Sequence, residues 1–172
     1  MISSAYSLTM ARYNSWLNRK LFELCATLKD EVWKRDMHAF FRSIQGTFDH
    51  ILAVDVMVMA HFKDGKPRFL PKDTLCSEFP ELRRRQETVD AEILDWAGAL
   101  STEWLAAPSP FTHHGDGLPR QVTRGFWVMQ MFNHQTHHRG QITTLLTQLG
   151  IDIGSTDMHM SVPSEDGDRF RS

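Results

Sequence analysis

The chain has 172 residues, 41% hydrophobic and 23% charged, with five tryptophans and a net charge of −2. That length is read as one domain spanning 1–172, long enough to bury a sizeable core, and the composition excludes a disordered or low-complexity chain. The near-balanced charge predicts no general attraction to nucleic acid or anionic lipid, and the lone basic run, Arg83-Arg84-Arg85, would splay around a helix as a solvated face.

Helical spacing dominates the chain. Met10, Tyr13, Leu17, Leu21, Leu24 and Leu28 step by three or four residues and define a first helix. A second is expected from about 37 to 62, with Phe40, Ile44, Phe48, Ile51, Val58 and Phe62 along one stripe. Residues 63–80 carry proline and glycine and are read as an irregular connection. A third helix aligns Leu82, Val89, Ile93, Trp96, Leu100 and Trp104 and stops before Pro108. Residues 109–120, with two prolines and Gly115-Asp116-Gly117, fit a short hairpin or a loop equally well. The fourth helix runs from about 123 to 149 and ends at Gly150, leaving a polar tail over the surface. Four amphipathic helices without strand periodicity predict an all-α bundle.

Cys25 and Cys76 are the only cysteines. They make neither a disulfide framework nor a CxxC site, which points to a reducing compartment. Residues 1–7 lack the basic and apolar blocks of a secretory signal, and no apolar run approaches a membrane span. A cytoplasmic protein is expected.

Of nine histidines, three lie in Asn133-His134-Gln135-Thr136-His137-His138-Arg139-Gly140-Gln141. At about 100° per residue, His134 and His138 fall roughly 40° apart, one turn above the other. Two imidazoles reach one metal from one helix at this spacing. Both face the apolar stripe of Trp127, Met131, Ile142, Leu145 and Leu149, whereas His137 lies on the polar margin. Inward imidazoles need a hydrogen bond or a metal, and a third ligand must come from another helix. His50 and His61 share one strip of the second helix, and periodicity does not choose between them. His38, His113, His114 and His159 lie near helix ends or loops and are read as solvated. Asp55 sits in an apolar arc, where it either orients a ligand histidine, acts as a base, or pairs with an arginine such as Arg139; the last is favoured. Asp49 points away from the His50 strip and is read as solvated, while Trp16, Trp96, Trp104 and Trp127 are read as core.

The block Asn133–Gln141 resembles the C-terminal signature of the DinB-like (DinB/YfiT) family of metal-binding proteins, unrelated to the DNA polymerase sharing that name. Tyr13-Asn14-Ser15-Trp16-Leu17-Asn18 resembles the family's N-terminal helix, and Thr47-Phe48-Asp49-His50-Ile51-Leu52-Ala53-Val54-Asp55 the segment with its first metal histidine. The resemblance implies a four-helix bundle of up-down-down-up connectivity, often a homodimer, with His50, His134 and His138 around one divalent ion. It thereby selects His50 over His61.

Neutral imidazoles suit zinc, nickel, copper, iron or manganese, with zinc or nickel favoured here, and three protein ligands leave the open position of a catalytic metal. Gln135 and Thr136 stand where a metalloprotease carries its glutamate, which argues against peptide hydrolysis. Some relatives in the wider superfamily use low-molecular-weight thiols, so the resemblance implies a metal-dependent thiol S-transferase-like enzyme on a small-molecule substrate. The alternatives are a metal-dependent hydrolase and a non-catalytic metal-binding stress-response protein. No residue is assigned as catalytic.

Overall fold

A computed structural model describes residues 2–63, 73–113 and 115–162. The expected connection over 63–80 and the histidine at 114 therefore lie partly or wholly outside the described residues.

Helix α1 (Ser4–Cys25) begins where Ser3 turns its hydroxyl back to accept from the Tyr6 amide at 3.1 Å. A single turn, α2 (Asp30–Trp33), follows and buries Trp33. Helix α3 (Ile44–Phe62) starts seven residues later than its apolar spacing predicts. Ser43 caps it through the Gly46 amide at 3.0 Å. Residues 37–42 instead make a tight loop with left-handed backbone at His38 (φ 57°) and Arg42 (φ 68°). Asp36 ties the loop together, accepting from the His38 amide at 2.9 Å and the Arg42 guanidinium at 2.5 Å. Phe40, expected in the core stripe, is consequently 84% exposed.

Helix α4 (Phe79–Gly98) carries Pro80 in its first turn, where the missing amide proton costs nothing. The third predicted helix is in fact two. The chain breaks after Gly98, and Ser101 recaps a short α5 (Thr102–Ala106) through the Trp104 amide at 3.0 Å. Trp104 nevertheless keeps its packing, with ring centroids 5.2 Å from Phe62 and 5.6 Å from Trp96. Strands β1 (Pro108–Thr112) and β2 (Pro119–Thr123) pair antiparallel, Pro108 opposite Thr123 and Pro110 opposite Gln121. The hairpin, rather than a loop, is what the turn chemistry there builds, so the chain is mostly helical with a small sheet rather than purely α. Thr123 caps α6 (Arg124–Gln148), and Gly150 (φ 76°) ends it in the left-handed conformation glycine tolerates.

Each of the four long helices packs on two others: α1 on α4 and α6, α3 on α4 and α6. Leu21, Ile51, Leu52, Leu82, Ile93, Phe132, Ile142 and Leu146 are fully buried between them. The tail crosses the outside of α1, where Tyr13 Oη donates to the Thr156 carbonyl at 2.8 Å and Lys20 Nζ to that of Ser155 at 2.7 Å. No helix among the described residues is long and apolar enough to cross a membrane.

Candidate metal centre

Packing α3 against α6 brings His50 opposite His134 and His138. Their ring centroids stand 4.9 Å (His50–His134), 4.8 Å (His50–His138) and 4.3 Å (His134–His138) apart. The Nε2 atoms of His50 and His134 approach to 3.0 Å, and one nitrogen from each of the three rings falls within 4.8 Å of the others. Among the described residues this is the only such group of potential metal ligands. Metal–nitrogen bonds of about 2.0–2.1 Å readily bridge the 3.0 Å His50–His134 pair.

The donor chemistry fits a cation. Burial, reinforced by the neighbouring His138, His50 and His137 rings, holds His134 down at about 3, so its imidazole is neutral. Burial also lowers His138. A divalent ion needs neutral imidazole lone pairs. His138 Nδ1 lies 2.8 Å from Gln141 Oε1, an atom that only accepts, so Nδ1 carries the proton and Nε2 keeps its lone pair. The Nδ1 of His134 is buried with no hydrogen-bond partner.

Phe41 closes one side. Its ring stacks on His50 at 3.9 Å and meets His138 edge-on at 5.4 Å. His137 is exposed, as its place on the helix predicts, with its ring 4.8 Å from that of His138. His61 is outside the cluster, 3.4 Å from the Ser109 hydroxyl. His38, His113 and His159 are exposed and not part of the group. Sequence reasoning missed both Phe41 and Gln141. Gln141 was discoverable, lying three residues after His138 on the same helix face; Phe41 was not, since no periodicity governs its loop.

Asp55 does not touch the histidines. Its Oδ1 accepts from Gln135 Nε2 at 2.7 Å and its Oδ2 from Gln86 Nε2 at 3.1 Å. The same Gln86 nitrogen donates to Asp90 Oδ1 at 3.0 Å, and Asn18 Nδ2 reaches both Asp90 oxygens at 3.0 Å. Arg139 joins this buried layer by donating to Asn14 Oδ1 and acts on Asp55 and Asp90 through its charge. Burial, then the nearby Asp90, raises Asp55 to about 7. The structural role favoured for Asp55 holds, with glutamines rather than Arg139 as its direct partners. Asp49, expected in solvent, is only 4% exposed. Its carboxylate accepts from the Leu75 amide at 2.9 Å and the Cys76 amide at 2.7 Å, covered by a segment whose packing periodicity does not reveal.

A mostly helical protein with three clustered imidazoles belongs to the class of helical proteins with a histidine group that could hold a metal ion between two helices. The DinB family model matches residues 1–167, and the chain belongs to that family. It is 23% identical over 167 residues to Protein DinB of Bacillus subtilis (strain 168), covering 90% of this chain and 92% of that protein. The crystal structure of a DinB-like protein from Bacillus cereus ATCC 10987 superposes with a TM-score of 0.54 at 19% identity, over 81% of this chain and 90% of the other. At that identity the likeness speaks for the fold.

Proposed function

We propose that the chain binds one divalent transition metal, zinc or nickel, through His50, His134 and His138. The observation that carries this reading is the convergence of three imidazole nitrogens from α3 and α6, with His134 held neutral and His138 Nδ1 committed to Gln141. Such an ion, when bound, supplies a Lewis acid able to lower the pKa of a bound water or to hold a thiolate. The protein's part is to keep His134 neutral, to orient His138 through Gln141, and to shield His50 with Phe41.

The reaction class we favour is transfer involving a low-molecular-weight thiol and an electrophilic small molecule. Family analogy is its support. The chain's own cysteines are not candidates for the thiolate. Cys25 is buried and its thiol is pushed up to about 12, and burial also raises Cys76, so neither is poised as a thiolate. A thiolate in this chemistry must come from a co-substrate. A hydrolase is the weaker reading, because Asp55, the carboxylate considered as a base, is bound by Gln86 and Gln135 instead of facing the cluster.

The same reading takes 1–172 as one domain of up-down-down-up helices, supported by the pairwise packing of α1, α3, α4 and α6. A cytoplasmic homodimer rests on the family resemblance and cysteine usage, and light scattering tests its oligomeric part.

The deciding experiment is elemental analysis of untagged protein with its native metal, alongside His50→Ala, His134→Ala and His138→Ala. Near one equivalent in the parent, lost in all three variants, is the expected result. Metal retained by any variant removes that residue from the ligand set, and a metal-free parent refutes the reading.

A further inference from the structure

A cleft of about 450 Å³ lies beside the histidine cluster, between the 37–42 loop and the outer face of α6. Its size falls within the range of small-molecule sites. Four independent features of the chain converge on it. Gly140 lines the cleft in the middle of α6, where glycine weakens a helix, yet a Cβ there would meet no atom within 4 Å. Packing therefore does not explain this glycine. Phe40 lines the opposite wall with its ring 84% exposed, an unfavourable place for a phenyl group. The loop that presents it bears left-handed backbone at two non-glycine residues, His38 and Arg42, a strain that accumulates at ligand sites. Finally, Gln141 both lines the cleft and holds Nδ1 of His138.

The lining chemistry identifies the occupant. Among the described residues, no carboxylate, lysine or arginine lines the cleft. Gln141 and Gln148 offer amides, Met37 and Phe40 offer apolar and aromatic surface, and His137 adds an imidazole face. We propose that this cleft is a binding subsite for an uncharged small molecule with a flat or aromatic body and an amide-like hydrogen-bonding edge. Glycine at 140 leaves the floor open for the ring, and Phe40 covers it. Because Gln141 is shared, the occupant touches the group that orients His138. The subsite itself does not depend on the metal reading.

Benzamide is the probe, followed by amide chemical shifts in the full chain, both as purified and after chelation. Saturable shifts at Phe40, Gly140 and Gln141 are expected in both states, with weaker binding of benzoate, which finds no lysine or arginine in the lining. Gly140→Leu should abolish saturation and Phe40→Ala should weaken it several-fold. Gly140→Ala should weaken binding while raising Tm, showing that the loss comes from the narrowed floor and not from the fold. Shifts that disappear on chelation would place benzamide on the ion and overturn the cleft as its site. Benzoate binding as tight as benzamide would overturn the uncharged class, and unsaturable or scattered shifts, or binding unchanged in both Gly140→Leu and Phe40→Ala, would overturn the subsite.

Discussion

The Nε2 atoms of His50 and His134 meet at 3.0 Å across the α3–α6 contact, with His134 half-buried among imidazoles that disfavour its protonation. The folded chain holds His134 at about 3, against 6.5 for an ordinary histidine. Between those values the unfolded chain binds a proton at this position and the folded chain does not. Stability of the metal-free protein therefore falls as pH drops from 6.5 toward 3, and is fully present above 6.5. His134→Gln, neutral at every pH, should reduce the slope; His138, lowered in the same direction, keeps part of it. Urea midpoints measured across that range decide the matter, and equal slopes in parent and variant would refute this origin.

Gln141 supplies the second prediction. Its Oε1 fixes the His138 tautomer, so Gln141→Leu leaves the ring free to turn and to carry its proton on the nitrogen that should face the ion. Losses of about 10–100-fold in metal affinity are typical when such an orienting partner is removed. Competition against a chromophoric chelator measures it. An affinity within a factor of two of the parent would mean that Gln141 does not position His138.

Asp55 behaves oppositely to His134 with pH. Its folded value near 7 lies above the ordinary 3.8, so the folded chain binds the extra proton between those values. Stability is lost as pH rises through that window toward 7. The two amides at Asp55 both present nitrogen to it, and their oxygens, Gln86 Oε1 and Gln135 Oε1, have no hydrogen-bond partner. Asp55→Asn, with one glutamine amide turned over, satisfies donors and acceptors alike without a buried charge. The variant should match the parent near pH 4 and exceed it near pH 8 by denaturant midpoint. A variant equally destabilised at both pH values would show that the carboxylate is needed in its ionised form.

The long helices and the inward pair His134 and His138 were legible because a 3.6-residue repeat leaves its mark on many positions at once. Breaks inside a stripe leave no such mark. Ser43 and Ser101 each start a new helix within an uninterrupted apolar pattern, and in the first case the chain throws Phe40 outward while turning Phe41 onto His50. Choosing His50 over His61 was beyond periodicity too, since both lie on one strip and only the packing of α3 against α6 separates them. The family resemblance chose the residue that the fold then brought to the cluster.

Asp49 shows the remaining limit, and it carries the last prediction. The helix wheel turns it away from the His50 strip, which reads as solvent; the fold instead lays residues 75–76 over it, and their amides find their acceptor in its carboxylate. Asp49→Ala strands those two N–H groups, at a cost of about 1–3 kcal/mol when such groups stay buried. Cys76, 2% exposed behind this contact, becomes the reporter. Its reaction with an aromatic disulfide at mildly alkaline pH should accelerate in Asp49→Ala, while Cys25, buried against α1's core face, should not respond. Acceleration at both cysteines would indicate global unfolding, and acceleration at neither would show that Asp49 does not hold this segment down.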